Sequence, residues 1–213
     1  MDFLILVLLV GMGVAAYFFW KQQSSAGKTT EKTLPKHETK PYSPDELRME
    51  NVKAGGVLQL RGVGKDMEDF DVKVVSKHTY RQGESSWYEL ECDKGDDKVW
   101  ISLEEDDDLE MSISMRKLKL RDLGIKKDDL MRFDEAEEGS FHFEDRKYWL
   151  EDSDAAVFYR HSADKEAEQF YYWEFEDEKS QSFISVEKWS DGSYDVTYSE
   201  PVKASQITVY SLS

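Results

Sequence analysis

Trp87, Glu89 and Glu91 alternate along one short stretch of the chain, and Tyr172, Glu174 and Glu176 repeat the arrangement 85 residues later. An aromatic ring followed by two carboxylates on one side of an extended strand suits a cation. The carboxylates supply charge, and the negative face of the ring adds a second attraction. A basic peptide segment or a small amine is the chemistry such a surface would take. The same residues would serve equally as solvated outer faces of two strands, with no convergence between them. Other chemistry is thinly represented. His37, His78, His142 and His161 lie far apart in sequence and show no metal-ligand spacing. The lone Cys92 rules out an intramolecular disulfide and a multi-cysteine zinc site. No nucleophile elbow and no phosphate-cradling loop occurs. The acidic runs 104–108 and 134–138 lack the spacing of a calcium loop and read as solvated turns. No catalytic residue, metal or cofactor is therefore expected, and the chain reads as a binding protein and not an enzyme.

The elements carrying these residues are strands. In "SWYELECD", Tyr88, Leu90 and Cys92 share one face while Trp87, Glu89 and Glu91 share the other. Trp173 and Phe175 correspond to the first face in the second copy, and Tyr172, Glu174 and Glu176 to the other. The match extends further: "WISLE" at 100–104 answers "FISVE" at 183–187, and Leu109–Ser114 answers Tyr194–Ser199. Period-two alternation predicts about twelve short strands, with "KYWLED" and "AAVFYRH" as two of them. Asp191-Gly192 marks a tight hairpin, and Ser43 to Glu46 a capping box opening a turn or two of helix. The expected fold is all-β, with two similar antiparallel β-meander halves packed together as a sandwich or barrel-like body. The halves cover about 55–120 and 139–213, joined by a helical or irregular connector at 121–138. One meander leaves an apolar face exposed, and two copies pressing those faces together would bury it. If a pseudo-twofold axis relates the halves, Glu89 and Glu174 converge on one site beside Trp87 and Tyr172.

The N-terminus is of another kind. Residues 3–20, "FLILVLLVGMGVAAYFFW", are uncharged and end in an aromatic belt. As a helix they reach roughly 27 Å at about 1.5 Å per residue, against a hydrocarbon core of about 30 Å. This favours a transmembrane anchor over residues 1–20 in place of a cleaved signal peptide, which would want a basic start and small residues at its end. Five lysines follow the run and none precedes it, so the positive-inside rule puts the N-terminus outside and the β domain in the cytoplasm. The single cysteine agrees with a reducing compartment. Residues 21–42 read as a flexible basic linker, holding the domain 43–213 roughly 25 Å from the bilayer. A Gly11-x-x-x-Ala15 pair permits a helix-mediated homodimer without requiring one.

The formal charge is −17 overall, and residues 41–213 carry −19. Such a body repels phosphate backbones, so nucleic acid is excluded as a partner. A protein or small cationic partner is expected instead. The paired motifs Trp87-Tyr88-Glu89-Leu90 with 100–104, and Tyr172-Trp173-Glu174-Phe175 with 184–189, resemble the bacterial domain-of-unknown-function 4178 family over roughly residues 55–210. That resemblance implies no catalytic residue to carry over, and a setting linked to envelope stress or polyamines in an adaptor or sensor role. The first copy lacks a counterpart of Trp189, and an anchor is not a general feature of the family. Two further readings stay open. One is an extracytoplasmic, aromatic-rich module for a glycan-like ligand; the other is a hydrolase using the glutamate pair.

Overall fold

Alternating side chains build eleven strands in a computed structural model that describes residues 42–213 apart from Pro44, Lys65, 106–107 and 164–166. They are β1 (Val57–Val63), β2 (Glu68–Gln82), β3 (Ser85–Lys94), β4 (Asp97–Glu105) and β5 (Leu109–Leu118) in the first half. The second half holds β6 (Ser140–Phe143), β7 (Arg146–Tyr159), β8 (Ala167–Asp177), β9 (Phe183–Trp189) and β10 (Tyr194–Pro201), and β11 (Ile207–Ser211) closes the chain. The twelve expected strands become eleven because 147–152 and 155–159 fall within one long strand, β7, while Arg160 and His161 belong to a 3-10 turn after it. Its acidic middle reads as a turn but stays extended beside β8, with one bulge between Leu150 and Asp152. The connector holds α1 (Lys127–Ala136), whose start is closed by the Asp129 carboxylate accepting from the Lys126 N–H at 2.7 Å. At Ser43 the Glu46 carboxylate does accept from the Ser43 N–H, at 2.7 Å. The chain there makes only a turn and a 3-10 turn at Met49–Asn51, not the expected helix.

All strands pair antiparallel in one sheet, in the order β11-β1-β2-β3-β4-β5-β10-β9-β8-β7-β6, and β2 also pairs with β7. That last pairing closes an eight-strand circuit from β2 through β5, across to β10 and back through β7. The barrel-like ring is uneven: six residue pairs join β5 to β10 and only three join β2 to β7. The final strand does not stay with the second half. It hydrogen-bonds to β1, so the first half is completed by the end of the chain.

Two irregularities give the halves their shared geometry. In β2 the register shifts between Val74 and Ser76, and in β7 between Leu150 and Asp152. Each bulge reverses which alternate residues face which side. Val72 and Val74 therefore enter the core of the first half, while Tyr80, past the bulge, turns to the opposite face. Likewise Tyr148 and Leu150 pack in the second half, and Phe158 turns away from it.

The apolar faces do not press against one another as expected. Each half has its own core: Leu58, Leu60, Leu90, Ile101 and Leu103 in the first, and Leu130, Tyr148, Trp173, Phe175 and Ile184 in the second. The first is covered by β1 and residues from Val202 onward, the second by α1 and the connector. A lid of local chain thus replaces the sister half. Between the two lies a third, purely aromatic-and-alanine cluster of Tyr80, Ala156, Phe158, Phe170 and Tyr172, and it is there that the faces opposite the cores meet.

Among the described residues no helix is long and apolar enough to cross a membrane. The expected span at 3–20 and the linker up to Pro41 lie outside them.

Candidate functional site

The polar face of the ring strands encloses a cavity of about 460 Å³ walled by side chains from all eight of them. β3 delivers Trp87 and Glu89 to it, and β8 delivers Tyr172 and Glu174. The four residues picked out by spacing thus line one space. Trp87 and Tyr172 touch, edge to face, with ring centroids 6.1 Å apart. The alternation of each strand settles this locally: Leu90 and Phe175 are pulled into their cores, which turns the intervening glutamates the other way.

Eight carboxylates line the cavity against two cationic side chains, Lys117 and Arg160. Six of the eight fall into two groups. Glu89 stands with Glu187 and Asp195, whereas Glu174 stands with Glu104 and Asp152. Glu89 and Glu174 therefore share a cavity but not a pair. Burial raises the Glu89 carboxyl above its ordinary value, opposed by the Tyr80 hydroxyl, which donates to Glu89 Oε2 at 2.9 Å, and by Lys117. Glu187 is raised further, by burial and then by the charges of Glu89 and Asp195. Two enclosed carboxyls this close hold a proton more readily than either would alone. Glu174 is open to solvent on the cavity side yet hemmed in by protein and by the charges of Glu104 and Asp152. Its pKa is pushed up to about 7. Among the described residues no donor hydrogen-bonds Glu187 or Glu174.

Aromatic rings make up much of the rest. Tyr80 stacks on Trp87 at 5.2 Å and packs on Phe158 at 5.0 Å; Trp189 stacks on Phe170, also at 5.0 Å. The Tyr172 hydroxyl donates to Asp152 and lies 2.9 Å from Gln82 Oε1, which fixes the ring at the cavity wall. Trp189 Nε1 is buried with no acceptor among the described residues. Sequence reasoning passed over Glu187, Trp100, Trp189 and Lys117. The signal for two of them was present, since Trp100, Ser102 and Glu104 alternate in β4 as Trp87 and Glu89 do in β3, and Glu187 answers Glu104 in the repeat.

A larger groove of about 970 Å³ lies elsewhere, but its basic side chains are already engaged. Lys94 bonds Glu68 at 2.5 Å, Arg116 bonds Glu144 at 2.8 Å and Arg146 bonds Asp177 at 2.5 Å.

The histidines, distant in sequence, do partly meet. His78 is buried between Trp100 and Phe158, and its Nδ1 accepts the His161 backbone N–H at 3.2 Å. Burial lowers the His78 pKa, holding it neutral, and Glu91 at 3.6 Å from Nε2 opposes this only in part. The ring thus packs on two residues that line the cavity, close to the three-pair β2–β7 seam. Among the described residues no group of His, Cys, Asp and Glu is arranged to hold a metal ion. Cys92 is buried on the core face of β3, and burial pushes its thiol up to about 12. The acidic residues at 134–138 are not a free turn: Asp134 lies in α1 and accepts from Ser153 Oγ at 2.8 Å and from the Tyr171 hydroxyl.

Comparison with known proteins fits this picture of a duplicated aromatic-and-acid sheet. The domain-of-unknown-function 4178 family matches residues 64–204. The chain belongs to that family. Its matched stretch begins just after β1 and ends before β11, so it takes in all eight strands of the ring. No curated protein and no solved structure matches the chain.

Proposed function

We propose that this member of the family is a non-catalytic binding domain for a small organic cation, tethered to the membrane by residues 3–20 with its β domain in the cytoplasm. One observation carries the ligand class: among the described residues no donor hydrogen-bonds Glu187 or Glu174, and both line a cavity shared with the aromatic rings of Trp87, Tyr172 and Trp189. Carboxylates attract an ammonium ion strongly where water is scarce, and ring faces add their own contribution when the cation is desolvated. An anion or a nucleotide would meet the same charges as repulsion. Bound cation would also relieve the crowding of like charges in the cavity.

Calorimetric titration of the full chain in detergent tests this directly. Binding of 1,5-diaminopentane, with no heat from its uncharged isostere 1,5-pentanediol, is the expected result. Heat from the diol alone would replace the cation reading with a neutral, hydroxyl-rich ligand, the class that the unpartnered Trp189 Nε1 favours.

The location rests on the lysines that follow the apolar run. A Ser24→Cys variant should escape a membrane-impermeant thiol reagent in whole cells and react once the cells are opened. The native Cys92 does not confuse the assay, because it is buried and its thiol stays protonated. Labelling in intact cells would reverse the orientation.

A further inference from the structure

The β2–β7 seam does not end with its three residue pairs. Beyond them the 3-10 turn Arg160–Ser162 packs on β2. Its backbone is left-handed at both His161 (φ 53°) and Ser162 (φ 54°), a region that favours glycine, so contacts with β2 must hold it. Ser76 Oγ lies 2.5 Å from His161 Nδ1, Thr79 Oγ1 donates to Ser162 Oγ at 2.8 Å, and Ser162 Oγ donates to the Lys77 carbonyl at 3.0 Å. The fourth bond is of another kind. The His161 backbone N–H donates to His78 Nδ1 at 3.2 Å. An imidazole nitrogen that accepts carries no proton, so this bond exists only while His78 is neutral.

We propose that His78 is a pH-sensitive latch on this seam: protonation at Nδ1 removes the acceptor that holds His161, and the circuit of strands opens between β2 and β7. The charges around the imidazole do not accommodate a cation. Glu91 of β3 lies 3.6 Å from Nε2, but its other oxygen already bonds Lys98 of β4. Trp100 of β4 and Phe158 of β7 pack on the imidazole and bring no charge. The turn itself brings Arg160 and the His161 imidazole, the latter 5.5 Å away between ring centroids. A cation at His78 therefore meets one carboxylate shared with a lysine, and two basic neighbours. Burial is the largest influence and holds its pKa below the ordinary 6.5. The open seam thus binds the proton better, so closure is favoured above about pH 6.5 and weakens as pH falls below it. Tyr80 and Phe158, paired across the seam, both line the cavity, so opening breaches its wall. The latch acts whatever the cavity binds.

Amide hydrogen exchange of the full chain in detergent, followed residue by residue by NMR, tests the latch. Between about pH 7.5 and pH 5.5, protection of the His161 amide and of the hydrogen-bonded amides among 79–81 and 157–159 should fall about tenfold, after correction for intrinsic exchange. That is the ratio one linked proton gives. In His78→Asn the side-chain oxygen replaces Nδ1 as acceptor and cannot titrate, so protection should stay within about twofold over the same range. His161→Asn keeps the backbone N–H and suits left-handed backbone, so the tenfold fall should persist. Should His78→Asn fold poorly, the wild type decides the matter: the His78 imidazole carbon-13 signals and the His161 amide signal should move with one midpoint. Unchanged protection in the wild type, or an equal fall in His78→Asn, would overturn the proposal. So would loss of the fall in His161→Asn, or separate midpoints for the two signals.

Discussion

Changing Glu89 and Glu174 together to glutamine is expected to abolish binding of 1,5-diaminopentane. Each carboxylate belongs to a different acidic group of the cavity, so the double change weakens both ends of the charge distribution at once. Hydrogen bonds to a charged partner contribute about 1.5–3 kcal/mol each, so losing two costs about 3–6 kcal/mol. At about 1.4 kcal/mol per decade, the Kd rises by roughly two to four orders of magnitude. The fold should survive, because glutamine keeps the shape and removes a carboxyl whose ionised form burial disfavours. The pH dependence carries its own sign. Glu174 has a pKa of about 7 in the native chain against an ordinary 4.5. A group raised on folding favours the native state at low pH, and that contribution is lost as pH rises from about 4.5 to about 7. Binding runs the other way. A cation needs the ionised carboxylate, so affinity should grow as pH rises through 7, with proton release detectable by titration in buffers of different ionisation heat. The Glu174→Gln single variant should lose most of this slope. Undiminished affinity in the double variant would end the case for the cavity as the site.

Phe175→Ala in β8 is expected to cost about 3–5 kcal/mol. The ring is fully buried and meets Phe141 edge-on at 4.9 Å and Phe133 at 6.1 Å, so truncation opens a hole that rigid strands on both sides cannot collapse into. Domains have about 5–15 kcal/mol to lose in total, and each kcal/mol shifts the midpoint of a chain this size by about 2–4 °C. A drop in Tm of roughly 6–20 °C follows, measured by thermal unfolding. Leu90→Ala, in the other core, should cost about 2–5 kcal/mol. Because the two residues lie in separate clusters, their losses should add to within about 0.5 kcal/mol in denaturant titrations. A much larger deviation from additivity would show that the halves share one interior after all. A loss below about 1 kcal/mol for Phe175→Ala would contradict the packing of the second core.

These two experiments probe opposite faces of the same strands, and the sequence was legible to different depths on each. Alternation in 87–92 and 172–177 was enough to separate Leu90, Cys92, Trp173 and Phe175 from the glutamates between them, since a strand's backbone sends successive side chains to opposite sides whatever surrounds it. The repeat, the antiparallel meanders and the hairpin at Asp191-Gly192, where Gly192 takes φ +81°, are equally local. So is the acidic excess, on which the proposal of a cationic ligand draws.

What lay across the sheet was not legible. That each core is lidded by its own chain and not by its sister depends on β11 returning to β1 and on α1 packing under β8, contacts between residues more than thirty apart. The bulges at Val74/Ser76 and Leu150/Asp152 exist only relative to a partner strand, so nothing in β2 or β7 alone announces that Tyr80 and Phe158 will change sides. Asp152 meets Glu174 as its direct cross-strand partner between β7 and β8, whereas bringing Glu89 to Glu187, and Glu174 to Glu104, requires the sheet to curve round into a ring. Periodicity assigns a side chain to a face of its strand; curvature and long-range pairing decide what that face encloses.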